Sequence, residues 1–162
     1  MWSMTKEADG KFMALAIDLS AMALDDDVGG PFGAVIVRDG EVIGRGRNRV
    51  LADRDPTAHA EVLAIRDACR SVGDHRLTGG VVYASSEPCP MCLAALYWAR
   101  IGKVIYANIR SEAAAIGFDD EWLYLELAAD MSDRKLIMSR FSSVEARLVF
   151  DGWFAREDRI PY

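Results

Sequence analysis

The strongest constraint on the fold of this chain comes from two short motifs. His59-Ala60-Glu61 is the first, and Pro88-Cys89-Pro90-Met91-Cys92 begins 27 positions after Glu61. Each motif stands at the predicted start of a helix, and the apolar segment 81–85 between them is predicted to be a buried strand. If the two helices lie side by side against one sheet, both helix starts point at one place. The spacing therefore predicts an α/β protein with a site at that place.

The rest of the chain alternates between helical and extended patterns with short connections, which is typical of one α/β domain over 1–162. Asp55 and Pro56 are predicted to be the N-cap and first position of the helix that carries the histidine motif. Helices are predicted at 12–24, 57–71, 88–99, 112–116, 121–128 and 143–154. Strands are predicted at 32–38, 41–47, 81–85 and 103–107, with a further edge strand at 135–139.

The charge, the length of apolar runs and the number of cysteines indicate which partners and which cellular compartment to expect. The 162 residues carry a formal net charge of -6, which argues against a protein that grips a nucleic-acid backbone. No stretch approaches 18 uninterrupted apolar residues, so no transmembrane helix is expected. The N-terminal residues lack the basic and apolar regions of a secretory signal. Three cysteines are too few for a disulfide scaffold, and a cytoplasmic protein is predicted.

The two motifs together have the ligand types of a catalytic zinc site. Cys89 and Cys92 are three residues apart in the first turn of a helix, where the positive helix end favours thiolates. With His59 they supply one imidazole and two thiolates, which leaves a tetrahedral Zn²⁺ with an open fourth position. Glu61 is placed to move protons without being a ligand. The combination is a signature of zinc deaminases acting on nucleobases.

Other interpretations of the same residues are a redox cysteine pair, half of a structural zinc site, or a non-catalytic zinc module. A redox pair needs no upstream histidine and glutamate, and a structural site needs a fourth ligand. The only other histidine, His75, lies in a polar stretch, and Cys69 is interpreted as a core residue in mid-helix. A non-catalytic module predicts a lost glutamate, whereas Glu61 is present.

Several longer blocks resemble the cytidine deaminase superfamily and, within it, its guanine deaminase branch. They are GGPFGA at 29–34, DPTAHAE at 55–61, EPCPMC at 87–92, ALYWARI at 95–101 and IGFDD at 116–120. The DPTAHAE and EPCPMC blocks are shared with tRNA adenosine deaminases, so they indicate the superfamily and not the substrate. The discriminating features are Tyr97-Trp98 after EPCPMC, the GFDD block and the aromatic C-terminus.

The resemblance implies a three-layer α/β/α fold with a five-stranded mixed sheet, one Zn²⁺ per subunit, and a homodimer that exchanges the segment 140–162. It implies deamination of guanine to xanthine and ammonia. Guanosine, other small aminated rings and tRNA adenosine remain as alternatives. The implied roles are zinc ligation by His59, Cys89 and Cys92, catalysis by Glu61 and Asp120, and substrate contacts from Phe32, Asn48, Ala60, Trp98 and Tyr162. Asp119 is an alternative to Asp120, and Tyr162 is expected to act from the partner subunit.

Overall fold

The computed structural model describes residues 6–161, which form seven α-helices and four β-strands within that range. The helices are α1 (Lys6–Ala21), α2 (Val50–Asp53), α3 (Ala60–Val72), α4 (Pro90–Trp98), α5 (Arg110–Ala115), α6 (Glu121–Ala128) and α7 (Val144–Ala155). The strands are β1 (Gly33–Arg38), β2 (Glu41–Arg47), β3 (Val81–Ser86) and β4 (Lys103–Asn108). Short 3-10 turns at Met22–Leu24 and Met131–Asp133 complete the regular structure.

The four strands form one mixed sheet in the order β2-β1-β3-β4. β1 pairs antiparallel with both β2 and β3, and β3 pairs parallel with β4. The parallel pair needs a crossover, and α4 provides it. The tight connection between β1 and β2 is the Asp39-Gly40 turn, in which both residues have positive φ, 53° and 81°, as the predicted type of hairpin turn requires.

Helices cover both faces of the sheet, which confirms the three-layer α/β/α prediction. Successive residues of a strand point to opposite faces, and each face has its own buried cluster. One cluster joins Phe12 and Ala16 of α1 to the odd-numbered residues of β1 and β3. The other joins the alanines of α3 and Leu96 of α4 to the even-numbered residues of the same strands. α3 and α4 therefore lie on the same face, as the two motifs require.

The predicted five-stranded sheet is wrong by one strand, because the described chain has four. Segment 135–139 was predicted to be the additional edge strand, but it has no strand structure. Its apolar side chains Leu136 and Ile137 are 74% and 87% exposed. An edge strand needs a neighbouring strand for its backbone hydrogen bonds, and this segment pairs with none of the four.

The start of α3 also differs from the prediction. The helix begins at Ala60 with His59 as its N-cap residue, and not at Asp55 and Pro56. The side chain of Asp55 instead accepts hydrogen bonds from the backbone N–H and the hydroxyl of Thr57, at 2.8 and 2.7 Å. This local turn is an alternative use of an N-capping residue type. The helix is therefore shorter at its N-terminus than predicted, and His59 immediately precedes its first residue.

The described residues divide into two compact units, 6–124 and 125–161. The first contains the sheet and both motifs. The second contains α7, which begins after Ser143, whose side chain accepts from the backbone N–H of Ala146 at 3.1 Å. No residue of 125–161 is buried. Among residues 6–161, no helix is long and apolar enough to cross a membrane.

Candidate active site

The two motifs place three ligand-type side chains at two neighbouring helix starts. His59 is the N-cap residue of α3 and Cys89 that of α4, and both have extended backbones, with ψ of 155° and 168°. Pro90 follows at the first helical position, where its fixed φ favours the helix and its missing N–H is not needed. Cys92 lies in the first turn of α4 and is fully buried. The helix geometry thus turns both sulfurs toward His59.

The distances within this group fit a zinc ion. His59 Nδ1 lies 3.6 Å from Cys89 Sγ and 3.5 Å from Cys92 Sγ, and all three ligand atoms lie within 4.8 Å of one another. Bond lengths of about 2.3 Å to sulfur and 2.1 Å to nitrogen at a tetrahedral angle require a nitrogen–sulfur distance of about 3.6 Å. The donor set and its spacing therefore fit Zn²⁺ with three protein ligands.

The same cluster favours the ionised form of a cysteine. Hydrogen bonds from the thiol of Cys92 and from His59 lower the pKa of Cys89 to about 4. The Cys89 sulfur in turn raises the pKa of His59. The hydrogen bond to Cys89 and burial in turn raise the pKa of the Cys92 thiol. Thiolate is the form of cysteine that binds metal, and Cys89 is the sulfur of this pair that ionises first.

Glu61 lies beside these ligands in the first turn of α3, and it is only 8% exposed. Burial raises the pKa of its carboxyl group above the usual value, since a charged carboxylate is poorly solvated there. The side chain lines the same cavity as His59 and Cys89. A buried carboxyl group with a raised pKa at a ligand cluster is suited to accepting and returning a proton.

The position of α3 depends on the close approach of β2. A Cβ atom on Gly46 would stand 2.1 Å from the carbonyl oxygen of Ala60 and 2.5 Å from the amide nitrogen of Ala64. Only glycine lets the strand run this close to the helix. Because Ala60 directly follows His59, this contact fixes the ligand end of the helix.

A cavity of about 680 Å³ opens onto the ligand group, which is within the range of roughly 300–1,000 Å³ typical of small-molecule sites. Its aromatic wall is formed by Phe32 and Phe118, whose rings meet edge to face at 4.9 Å between centroids. Gly30 gives Phe118 its room, since a Cβ atom there would stand 2.8 Å from the ring. Flat apolar walls of this kind suit the faces of an aromatic ring.

Asn48 is buried at the cavity, and only one end of its amide is free to bind a ligand. Its side-chain oxygen accepts the backbone N–H groups of Gly30 and Val50, both at 3.2 Å. The sequence predicted that Asn48 could both donate and accept, but the oxygen is already used. Its amide nitrogen is therefore the group left to face a substrate, as a donor.

The structure distinguishes the two aspartates that the sequence left as alternatives. Asp119 accepts the backbone N–H of Glu121 at 3.0 Å, so its carboxylate shapes the turn into α6. Asp120 also lines the cavity, and its buried Oδ1 has no hydrogen-bond partner. Burial, and then the nearby Cys89, raise the pKa of Asp120. An unpartnered buried acceptor is costly, so Asp120 is the aspartate with an acceptor atom still available at the cavity, and its role toward substrate stays a prediction.

Two predicted substrate contacts do not line this cavity, and a third lies outside the described residues. Trp98 does not line it in this chain and is 62% exposed. The reason is that Trp98 ends α4, and nine helical residues place it about 13 Å along the helix from Cys89. The Ala60 side chain is buried in the core beneath β2. Tyr162 lies outside the described residues, so its role stays a prediction.

Sequence reasoning missed Phe118 and Arg110 among the residues that line the cavity. Phe118 lies inside the IGFDD block, and its aromatic character directly before two aspartates was the available signal. Arg110 gives no such signal, because it is one of many arginines and becomes special only through its contacts.

Comparison with known proteins agrees with the site. Residues 6–108 match the family model of the cytidine and deoxycytidylate deaminase zinc-binding region. Guanine deaminase of Bacillus subtilis is 44% identical over 142 residues, covering 88% of this chain and 91% of that protein. The X-ray structure of guanine deaminase from Bacillus subtilis superposes with a TM-score of 0.90, at 41% identity, over 98% of this chain and 99% of that chain.

The tRNA-specific adenosine deaminase of Agrobacterium fabrum is 46% identical over a shorter region of 106 residues. That match covers 65% of this chain and 68% of that protein.

Proposed function

The chain belongs to the cytidine and deoxycytidylate deaminase family, and we propose that it is a zinc-dependent guanine deaminase that converts guanine and water to xanthine and ammonia. The proposal rests on one observation: His59, Cys89 and Glu61 line a single cavity, at whose base Cys92 completes the ligand group. The aromatic wall and two polar groups at the cavity edge then select the ring.

His59 Nδ1 and the sulfurs of Cys89 and Cys92 would hold the zinc ion. When bound, zinc supplies the Lewis acidity that makes water a nucleophile at neutral pH. The protein contributes the geometry, since both helix starts fix their ligands through backbone structure and not through flexible loops.

Glu61 carries the protons of the reaction. Water adds to C2 of guanine, the carbon that bears the amino group. The carboxylate of Glu61 accepts a proton from this water and delivers it to the neighbouring ring nitrogen. It then takes the remaining proton of the hydroxyl group now bound to C2 and passes it to the amino nitrogen. The C–N bond breaks, the C2 carbonyl forms and ammonia leaves. The raised pKa of Glu61 suits a group that must hold a proton between these two steps.

The ring itself is recognised at its faces and at its edge. Phe32 and Phe118, which contact each other edge to face, would together form a wall against one face. The unpartnered Oδ1 of Asp120 would accept from the amino and ring N–H groups of guanine, and the free amide nitrogen of Asn48 would donate to its carbonyl oxygen. This pattern of one acceptor and one donor matches the edge of a guanine.

The alternatives differ in what surrounds the ring. Guanosine presents the same edge and needs room for a ribose, and other aminated rings share parts of the pattern. tRNA adenosine would need a basic surface for the RNA backbone, whereas the chain carries a net charge of -6 and its last helix is followed by the mixed stretch Arg156-Glu157-Asp158-Arg159.

We further propose that the enzyme is a homodimer. The second unit, residues 125–161, buries none of its residues, although it carries many large apolar side chains. Examples in α7 are Leu148, Phe150 and Phe154, which are 62%, 75% and 73% exposed. Exposed apolar surface of this extent is typical of an interface. A second copy, exchanging the segment 140–162, would cover it and bring Tyr162 to the partner's cavity. Light scattering should give twice 17.9 kDa.

The substrate is tested by an ammonia-release panel on guanine, guanosine, adenine, cytosine, cytidine and a tRNA anticodon stem. We expect guanine to give the highest kcat/KM. If kcat/KM is higher for guanosine, guanosine and not guanine is the substrate. Activity on the tRNA stem alone would refute the proposal.

A further inference from the structure

The position of Asp120 raises a question that its own contacts do not answer. Its buried Oδ1 has no hydrogen-bond partner in the structure. Its backbone carbonyl starts α6 by accepting the N–H groups of Leu123 and Tyr124, at 3.0 and 3.4 Å. The direction of the Asp120 side chain therefore depends on how the first turn of α6 is held.

Arg110 contacts that turn twice. Its guanidinium lies 3.2 Å from the carboxylate of Glu121 and 4.3 Å from the centre of the Tyr124 ring. Glu121 and Tyr124 are three residues apart, so they lie on one face of the helix. One planar cation thus holds both ends of the turn that follows Asp120, by an ion pair and by a cation–π contact.

Arg110 is itself fixed to the zinc side of the cavity. Its backbone N–H donates to the carboxylate of Glu87 at 3.1 Å, and Glu87 lies two residues before Cys89. The backbone N–H of Glu87 in turn donates to Asn108 at the end of β4, at 2.9 Å. A continuous set of contacts thus runs from the cysteine motif through Arg110 to the start of α6.

The positive charge of Arg110 also supports a role for this residue at Asp120. Among the described residues that line the cavity, Arg110 is the only arginine or lysine. Its positive charge favours the ionised form of Asp120, against the effect of burial. An ionised Asp120 is an acceptor only, which is the state that binding an amino group needs.

We propose that Arg110 is a positioning residue, which holds the first turn of α6 and thereby keeps the Asp120 carboxylate directed into the cavity. The role of Asp120 toward substrate rests on the proposed function, whereas the clamp itself is a property of the fold. Arg110 need not touch the substrate, because it acts through Asp120.

The test is a double-mutant cycle between Arg110 and Asp120 on the zinc-loaded enzyme. Arg110→Met should raise KM for guanine about threefold to tenfold, because the ion pair and the cation–π contact are lost. Asp120→Asn should raise KM for guanine more than Arg110→Met does. In the Asp120→Asn background, Arg110→Met should have no additional effect, since the group it positions is gone. Arg110→Lys should recover part of the loss, because it keeps the positive charge but not the planar guanidinium. Arg76→Met is the matched control, as it removes an exposed Arg–Asp ion pair of 3.0 Å in a loop that does not line the cavity.

A second measurement needs no substrate. Hydrogen exchange at the amides of Leu123 and Tyr124 should be at least about threefold faster in Arg110→Met and unchanged in Arg76→Met. If the wild type releases no ammonia from guanine, the proposed function fails, and exchange still tests the clamp. Three results would each overturn the inference. The first is that the two substitutions raise KM by factors that multiply in the double variant. The others are an Arg110→Lys variant with a KM no lower than that of Arg110→Met, and an unchanged exchange rate at Leu123 and Tyr124 in Arg110→Met.

Discussion

Replacing Gly46 with alanine adds one methyl group at the closest contact between β2 and α3. The new Cβ atom would stand 2.1 Å from the carbonyl oxygen of Ala60, whereas real Cβ atoms essentially never come within 3.0 Å of such an atom. Strand and helix must therefore separate by about 0.9 Å. Because His59 immediately precedes Ala60, part of this displacement reaches the zinc ligand.

The loss of stability and activity in Gly46→Ala follows from the overlap between the new Cβ atom and the Ala60 oxygen. Overpacking of a close contact lowers the free energy of unfolding by about 1–3 kcal/mol. For a chain of this size, that corresponds to a melting temperature lower by roughly 2–12 °C. Turnover should fall more steeply, on the order of tenfold to a hundredfold, because a displacement of about 1 Å at a reacting centre has effects of that size.

The assay is thermal unfolding of the zinc-loaded protein, with zinc content and ammonia release measured on the same preparation. Gly10→Ala is the matched control: the residue lies within α1, and its added Cβ would meet nothing within 4 Å. Alanine is the better helix former, so this variant should gain about 0.5–1 kcal/mol. A Gly46→Ala variant that melts at or above the wild-type temperature with full activity would refute the account of how α3 is positioned.

Three further results are expected. Tyr83→Phe removes the hydrogen bond from a fully buried phenol to Asp9 on α1 and should cost about 1–2 kcal/mol in denaturant unfolding; Tyr106→Phe, an exposed tyrosine, should cost little, and equal effects would contradict this. Phe118→Ala should raise KM at least about tenfold through the lost ring face while zinc content stays constant; an unchanged KM removes Phe118 from the binding wall. Deleting Tyr162 should weaken substrate binding without releasing zinc, whereas wild-type kinetics would exclude it from the site.

Much of the fold could be predicted from sequence because its signals are local. The hairpin at Asp39-Gly40, the four strands and the helices that carry both motifs each follow from periodicity and turn residues within a few positions. The zinc ligands could also be predicted, since His59, Cys89 and Cys92 need only two helix starts on one face of a sheet. These features depend on neighbours in the chain, and the structure confirms where they lie.

The start of α3 is decided by a local turn at Asp55. The other differences from the prediction come from contacts between distant parts of the chain. Segment 135–139 has the composition of a strand, but a strand also needs an edge to pair with, which composition does not report. The role of Trp98 stays a prediction, because the length of α4 carries it away from the cavity of its own chain. The oxygen of Asn48 is used by Val50, two residues further along the chain, and by Gly30, which the folded loop brings near. The missing sheet edge for segment 135–139 and the contact of Asn48 with Gly30 both depend on residues that are remote in sequence.

The most direct test of the central claim compares the wild type with Glu61→Gln, each analysed for zinc and for xanthine and ammonia formed from guanine. The account predicts about one zinc per chain in both proteins and xanthine and ammonia in equal amounts from the wild type. Turnover of the variant should be lower by at least about a hundredfold, because the group that moves the protons is lost. Full activity of the zinc-loaded Glu61→Gln variant, or a zinc-loaded wild type that leaves guanine unchanged, would contradict it.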